Sequence, residues 1–237
     1  MTKPVSVTTT ELQDGSETFT VTIVKPEKPD RYGLFAAGRG GNPARHLGLL
    51  KTVASRGCAL IAPHFQMLTN TAPSAEDLGI RIRQLDLSAD RFAEAGQPVF
   101  GIGHSIGTVA LLALAGGRAC TLARDTVAPV AGRRLERLAL LAPIADFFKH
   151  PGALDSVAAR MYLRTGSLDH FAPPAQVRHL GDLLARRTQV DLHIDREAGH
   201  FSYMDDLPPN FDDPLPDRAG FLAALATSVA MFVSAAD

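Results

Sequence analysis

The 237-residue chain is 46% hydrophobic and 21% charged, a composition that fills a globular core and excludes disorder. Its 24 basic and 25 acidic residues nearly cancel, so neither a nucleic-acid surface nor a membrane-steering patch is expected. Two cysteines make no disulfide framework, and no apolar run approaches a membrane span. Cys58, inside the run CALIA, is expected to be a buried free thiol.

The N-terminal segment MTKPVSVTTTELQDGSETFTV lacks the apolar core of a signal peptide, and the expected location is the cytoplasm. From there, strand and helix patterns alternate. TFTVTIV alternates β-branched and polar residues, as a half-buried edge strand does. YGLFAA is a short apolar strand ended by Gly38. Asn42-Pro43 reads as a helix start, with Asn as cap and Pro in the first turn, and that helix stops near Gly57. CALIAP is a second buried strand. Over residues 75–95, Leu78, Ile82, Leu85, Ala89 and Phe92 follow a helical stripe, with Arg81, Arg83 and Asp90 assigned to the other faces. PVFGI then predicts a strand and SIGTVALLALA a buried helix. LERLALLAP and ARMYLRTG predict two further strands, PAQVRHLGDLLARR a helix, TQVDLHI a strand, and RAGFLAALATSVAMFV a closing helix.

Short continuous apolar strands separated by helices imply a mostly parallel sheet covered on both faces. The expected architecture is one doubly wound α/β domain spanning residues 1–237. In such a sheet, ligands sit at the carboxyl ends of the strands, so residues just after each strand become the candidates for chemistry.

The stretch VFGIGHSIGTVALLALAGG, residues 99–117, carries the sharpest signal. Gly103-His104-Ser105-Ile106-Gly107 lies where a buried strand turns directly into a helix. In a nucleophile elbow the serine takes a strained backbone conformation, and the residues two positions either side must lack side chains. A dinucleotide-binding turn through Gly101, Gly103 and Gly107 has the wrong spacing and no acidic residue after the next strand. An activated serine also needs an acid, a base and an anion hole, with the acid and base following in that order. Asp169 in GSLDHF follows one strand, His200 in EAGHFSY follows the next, and GRGGN, residues 38–42, follows YGLFAA.

In these motifs and their order the chain resembles the α/β-hydrolase superfamily, over nearly its whole length. The resemblance implies Ser105 as nucleophile, His200 as base, Asp169 as acid, and the amides of Ile106 and Arg39 as oxyanion donors. Many relatives carry histidine before the oxyanion glycine, where this chain has Ala37. The segment between LALLAP and RMYLRTG is too short for a large lid. The implied activity is a serine hydrolase acting on carboxylic esters or thioesters, with no cofactor and a small-molecule substrate.

The remaining candidates each admit two readings. Asp146, also after a strand, is either an alternative acid or a helix cap. Phe65, Phe147, Phe148, Phe171 and Phe201, with Met67, either seal the core rim or wall an apolar substrate pocket. The Arg39 guanidinium is expected to be solvated, the alternative being a substrate carboxylate as partner. His104 is expected to point away from the reaction. No histidine spacing suggests a metal site. The proline- and aspartate-rich stretch over residues 203–217 is expected to be a solvated loop bordering the site. A second functional class is a slow-turnover ligand-binding or signalling module on the same scaffold.

Overall fold

A computed structural model describes residues 3–70, 72–127, 133 and 135–235. Among them, eight strands lie side by side: β1 (Val5–Asp14), β2 (Glu17–Pro26), β3 (Arg31–Ala36), β4 (Cys58–Pro63), β5 (Val99–His104), β6 (Leu135–Leu141), β7 (Arg160–Gly166) and β8 (Val190–Asp195). Their order across the sheet is β1-β2-β4-β3-β5-β6-β7-β8. Strands β4, β3 and β5 to β8 run parallel, while β1 and β2 are antiparallel. β4 and β5 are buried at every position, as their unbroken apolar runs require.

Among the described residues, five α-helices cover the sheet: α1 (Leu47–Ser55), α2 (Ala75–Phe92), α3 (Gly107–Leu114), α4 (Pro174–Leu184) and α5 (Arg218–Ser234). From β3 the chain steps through α1 to β4 on one side, then returns through α2 to β5 on the other. Right-handed crossovers in opposite directions place α1 and α2 on opposite faces. Accordingly α5 packs on α1, and α3 packs on α2. The direction reverses around β3, so the carboxyl ends of β3 and β5 open onto a crevice. Among the described residues, no helix is long and apolar enough to cross a membrane.

Three expectations are corrected. TFTVTIV is not an edge strand, because β1 pairs along its whole length in the register Asp14↔Glu17 to Val5↔Pro26. β1 is exposed on both faces and leaves no hydrophobic period to read. Its local signal is Asp14-Gly15, where Gly15 takes a positive φ of 65° in a two-residue hairpin turn. The helix expected over residues 75–95 ends at Phe92. Arg81, assigned to an outer face, is only 2% exposed. It lies three residues after Leu78 and four before Leu85, which places it within the buried stripe. Cys58 is buried and free as expected, and burial raises its thiol pKa.

Helix α2 begins with a reciprocal cap. The Ser74 hydroxyl accepts the Asp77 N–H at 3.0 Å, and the Asp77 carboxylate accepts the Ser74 N–H at 2.8 Å. Ser74→Ala is expected to cost about 1 kcal/mol, read as a lower urea midpoint with an unchanged slope.

Candidate active site

The turn between β5 and α3 is built by close approach. Ser105 has a positive φ of 55°, the left-handed region that side chains rarely adopt. Its N–H donates to the Leu141 carbonyl on β6 at 2.9 Å, which pins the turn to the sheet. A Cβ on Gly107 would lie 2.2 Å from the Ala36 carbonyl oxygen and 2.6 Å from that of Ala37. A Cβ on Gly103 would lie 2.8 Å from Leu111 Cδ1. The two glycines therefore let the start of α3 rest on the end of β3, with Ser105 projecting above the sheet edge.

Two further loops bring their side chains to this serine. Asp169 follows β7, and its Oδ1 accepts the N–H groups of Phe171 at 2.8 Å and Ala172 at 2.7 Å. His200 follows β8. Its Nδ1–H donates to Asp169, 2.9 Å from Oδ2 and 3.1 Å from Oδ1. A carboxylate only accepts, so the proton sits on Nδ1 and the Nε2 lone pair faces outward. There it meets Ser105 Oγ at 2.8 Å, so the hydroxyl donates to the imidazole. The Asp169 side chain is fully buried and that of His200 nearly so.

The loop carrying His200 is fastened by buried polar groups. A Cβ on Gly166 would lie 2.1 Å from the Ala198 carbonyl oxygen, so this loop lies directly on the end of β7. The Tyr203 hydroxyl donates to Asp195 at 2.7 Å, and Arg164 grips the same carboxylate. Ser202 accepts the Gly199 N–H and donates to Asp213, which Arg218 also holds at 2.9 Å. His104 Nε2–H donates to the His200 carbonyl at 2.9 Å, with its ring 5.2 Å from that of His200. His46 Nδ1–H donates to the Tyr203 carbonyl at 3.2 Å.

On the β3 side, Gly38 faces the serine: a Cβ there would lie 3.3 Å from Ser105 Cβ. The Arg39 guanidinium is not simply solvated. It donates to the carbonyls of Leu68, at 2.9 Å, and Asn70, fastening the strand-to-helix connection beside the site.

No protein-family model and no curated protein matches this sequence. Solved structures of similar shape are found nonetheless. A dienelactone hydrolase from Anabaena variabilis is 16% identical, with a TM-score of 0.68 and 96% of each chain covered. Esterase 2 of Thermogutta terrifontis, phosphorylated by paraoxon, is 15% identical, with a TM-score of 0.67 over 96% of this chain and 94% of that one. An α/β serine hydrolase homologue from Coxiella burnetii is 14% identical, with a TM-score of 0.64 over 99% of both. The chain has the α/β-hydrolase fold.

Within that fold, the other sequence candidates divide. Asp146 does not reach His200; it pairs with Lys149 at 2.6 Å, while Asp169 holds the imidazole. Phe147 and Phe148 are turned into the core by the short turn Asp146–Phe148, and Phe65 is buried beneath Arg81. These three side chains therefore seal the core. Phe171 and Met67 are exposed, at 58% and 62%. The Phe171 ring lies 5.0 Å from His200 and the Phe201 ring 5.1 Å. Phe211 extends the cluster, 4.4 Å from Phe201, and so brings the loop over residues 203–217 beside His200. That loop is less solvated than expected, because Asp213 is buried by Arg218 and Ser202. Phe211 was missed because nothing local distinguishes one phenylalanine in an aspartate-rich loop. The segment over residues 142–159 holds only the short turn Asp146–Phe148, with no lid domain.

His46 and His104 are buried and uncharged. Burial lowers His46 from 6.5 to about 4, and burial with the facing His46 and His200 rings lowers His104 well below its ordinary value. In the unfolded chain both bind a proton near pH 6.5. Their contribution to stability is complete above that pH and is lost as pH falls, because protons then favour the unfolded state. For His46 the loss is expected to reach about 3 kcal/mol by pH 4. Urea unfolding at pH 7.5 and 4.5 is expected to show this loss, and His46→Gln to make it smaller.

Proposed function

We propose that the protein is a serine hydrolase that cleaves carboxylic esters or thioesters through an acyl-enzyme on Ser105, working as one domain over residues 1–237. The observation that carries this reading is the continuous relay from Asp169 through His200 to Ser105, at 2.9 and 2.8 Å. His200 Nε2 takes the hydroxyl proton as Oγ attacks the carbonyl carbon. Asp169 keeps the imidazole in the required tautomer and stabilises it once protonated. The negative charge that develops on the carbonyl oxygen is received by the amides of Ile106 and Arg39. His200 then gives its proton to the leaving alcohol or thiol. Water, deprotonated by the same imidazole, attacks the acyl carbon and frees Ser105 as the carboxylic acid departs. Every proton is moved by the chain's own groups.

Phe171, Phe201 and Met67, with Phe211, are proposed to receive an apolar part of a small-molecule substrate. Phe171 and Phe201 stand beside His200, Phe211 stands beside Phe201, and Met67 is exposed on the loop after β4; no lid domain over residues 142–159 covers them.

A fluorophosphonate probe is expected to label the wild-type protein and not Ser105→Ala; equal labelling of both overturns the assignment. Asp169→Asn is expected to lower kcat for p-nitrophenyl butyrate by a factor on the order of 10⁴. An acyl burst without steady-state release would favour the binding-module reading instead. Phe171→Ala is expected to weaken longer p-nitrophenyl esters by roughly 1 kcal/mol, about fivefold in kcat/KM, while sparing the acetate.

A further inference from the structure

Arg81 on α2 is the most completely buried cation beside the site, and its hydrogen-bond partners are all backbone carbonyls. Nη1 donates to the carbonyl of Gly38 at 2.9 Å and, at 3.4 Å, to that of Ala37. Nη2 donates to Arg39 at 3.0 Å and to Gln66 at 2.8 Å. The Phe65 ring lies 4.9 Å from the guanidinium carbon. Burial pulls this group down to about 10, with Asp77 opposing the change and Arg39 adding to it, so it stays charged near neutral pH.

Burying a charge without a carboxylate is costly, and a neutral amide side chain reaches one or two carbonyls at most. A planar fork reaches several at fixed angles. Three of the four carbonyls here are consecutive, and they belong to the loop that faces Ser105. The peptide between Gly38 and Arg39 is trans and planar, so its N–H leaves opposite to its carbonyl. With that carbonyl held on the α2 side, the Arg39 N–H is directed away from α2. Gly38 itself lies against the nucleophile, within 3.3 Å of Ser105 Cβ for an added Cβ.

We propose that Arg81 is a positioning residue for the oxyanion site. By holding the Gly38 carbonyl it aims the Arg39 N–H at the substrate's carbonyl oxygen, and its charge polarises that peptide through the hydrogen bond. The proposal rests on the serine-hydrolase reading above. It predicts that Arg81 acts on acyl transfer, where an oxyanion forms, and not on the reactivity of the nucleophile itself.

The test uses the full chain as wild type, Arg81→Lys and Arg81→Gln, each also combined with Ser105→Cys. Hydrolysis of p-nitrophenyl acetate reads acyl transfer. Alkylation of the Ser105→Cys thiol by iodoacetamide reads the nucleophile and its base alone: His200 takes the thiol proton, the S–C bond forms and iodide leaves, with no oxyanion. In both Arg81 variants kcat is expected to fall roughly 10- to 100-fold, with KM and the alkylation rate within about twofold of their parents. Four results overturn the proposal: kcat kept within about twofold, alkylation slowed as much as kcat, a rise in KM at constant kcat, or loss of cooperative unfolding in both variants. A wild-type chain without Ser105-dependent turnover fails earlier, and removes the hydrolase reading together with this proposal.

Discussion

The arrangement depends on one steric contact, the start of α3 resting on the end of β3. At Gly107 there is no room for a single methyl group between the helix and the carbonyls of Ala36 and Ala37. That contact forces the chain through the left-handed backbone at Ser105 and lifts its side chain out of the sheet. It also brings the loop after β3 beside Ser105. The amide of Ile106 and the loop after β3 thereby come together through one packing event. The parallel sheet makes this possible, because β3 and β5 end on the same edge while their connections leave toward opposite faces.

The second half of the site is held by buried polar groups rather than by apolar packing. Asp169 is filled by two backbone N–H groups and an imidazole. The His200 loop is tied down by Asp195, Asp213, His104 and His46. Such networks stabilise only when nearly every member is satisfied, and they then admit few alternative geometries. A loop that must hold an imidazole at 2.8 Å from a hydroxyl benefits from that rigidity. Arg81 applies the same device on the opposite side, where a buried cation orders backbone carbonyls. Acid sensitivity follows from the same construction, since His46 and His104 fit only when neutral.

Much of this was legible in the order of residues. The buried strands from YGLFAA to ARMYLRTG read directly, because a strand covered on both faces is apolar throughout. Ser105 and Asp169 were each singled out by following such a strand, and His200 by following the half-exposed β8. β1 was not legible, since a strand exposed on both faces has no period, and its hairpin turn was the lone signal. Arg81 was misplaced because its charge argued for solvent, although its spacing from Leu78 and Leu85 placed it inward. Phe147 and Phe148 read as pocket candidates because a loop position says nothing about which way a short turn faces.

Local pattern by itself therefore determined the alternation of strands and helices, the elbow at Ser105, and the three strand-end residues that meet there. Each is a short-range consequence of periodicity or of the space a glycine leaves. Only the tertiary structure decided that Asp169 and not Asp146 holds the imidazole, that Arg39 is engaged by carbonyls, and that Arg81 spans the loop beside Ser105. Those outcomes join groups from 29 to 42 residues apart. Contacts over such separations follow from how strands and helices pack, and leave no trace in the neighbouring residues.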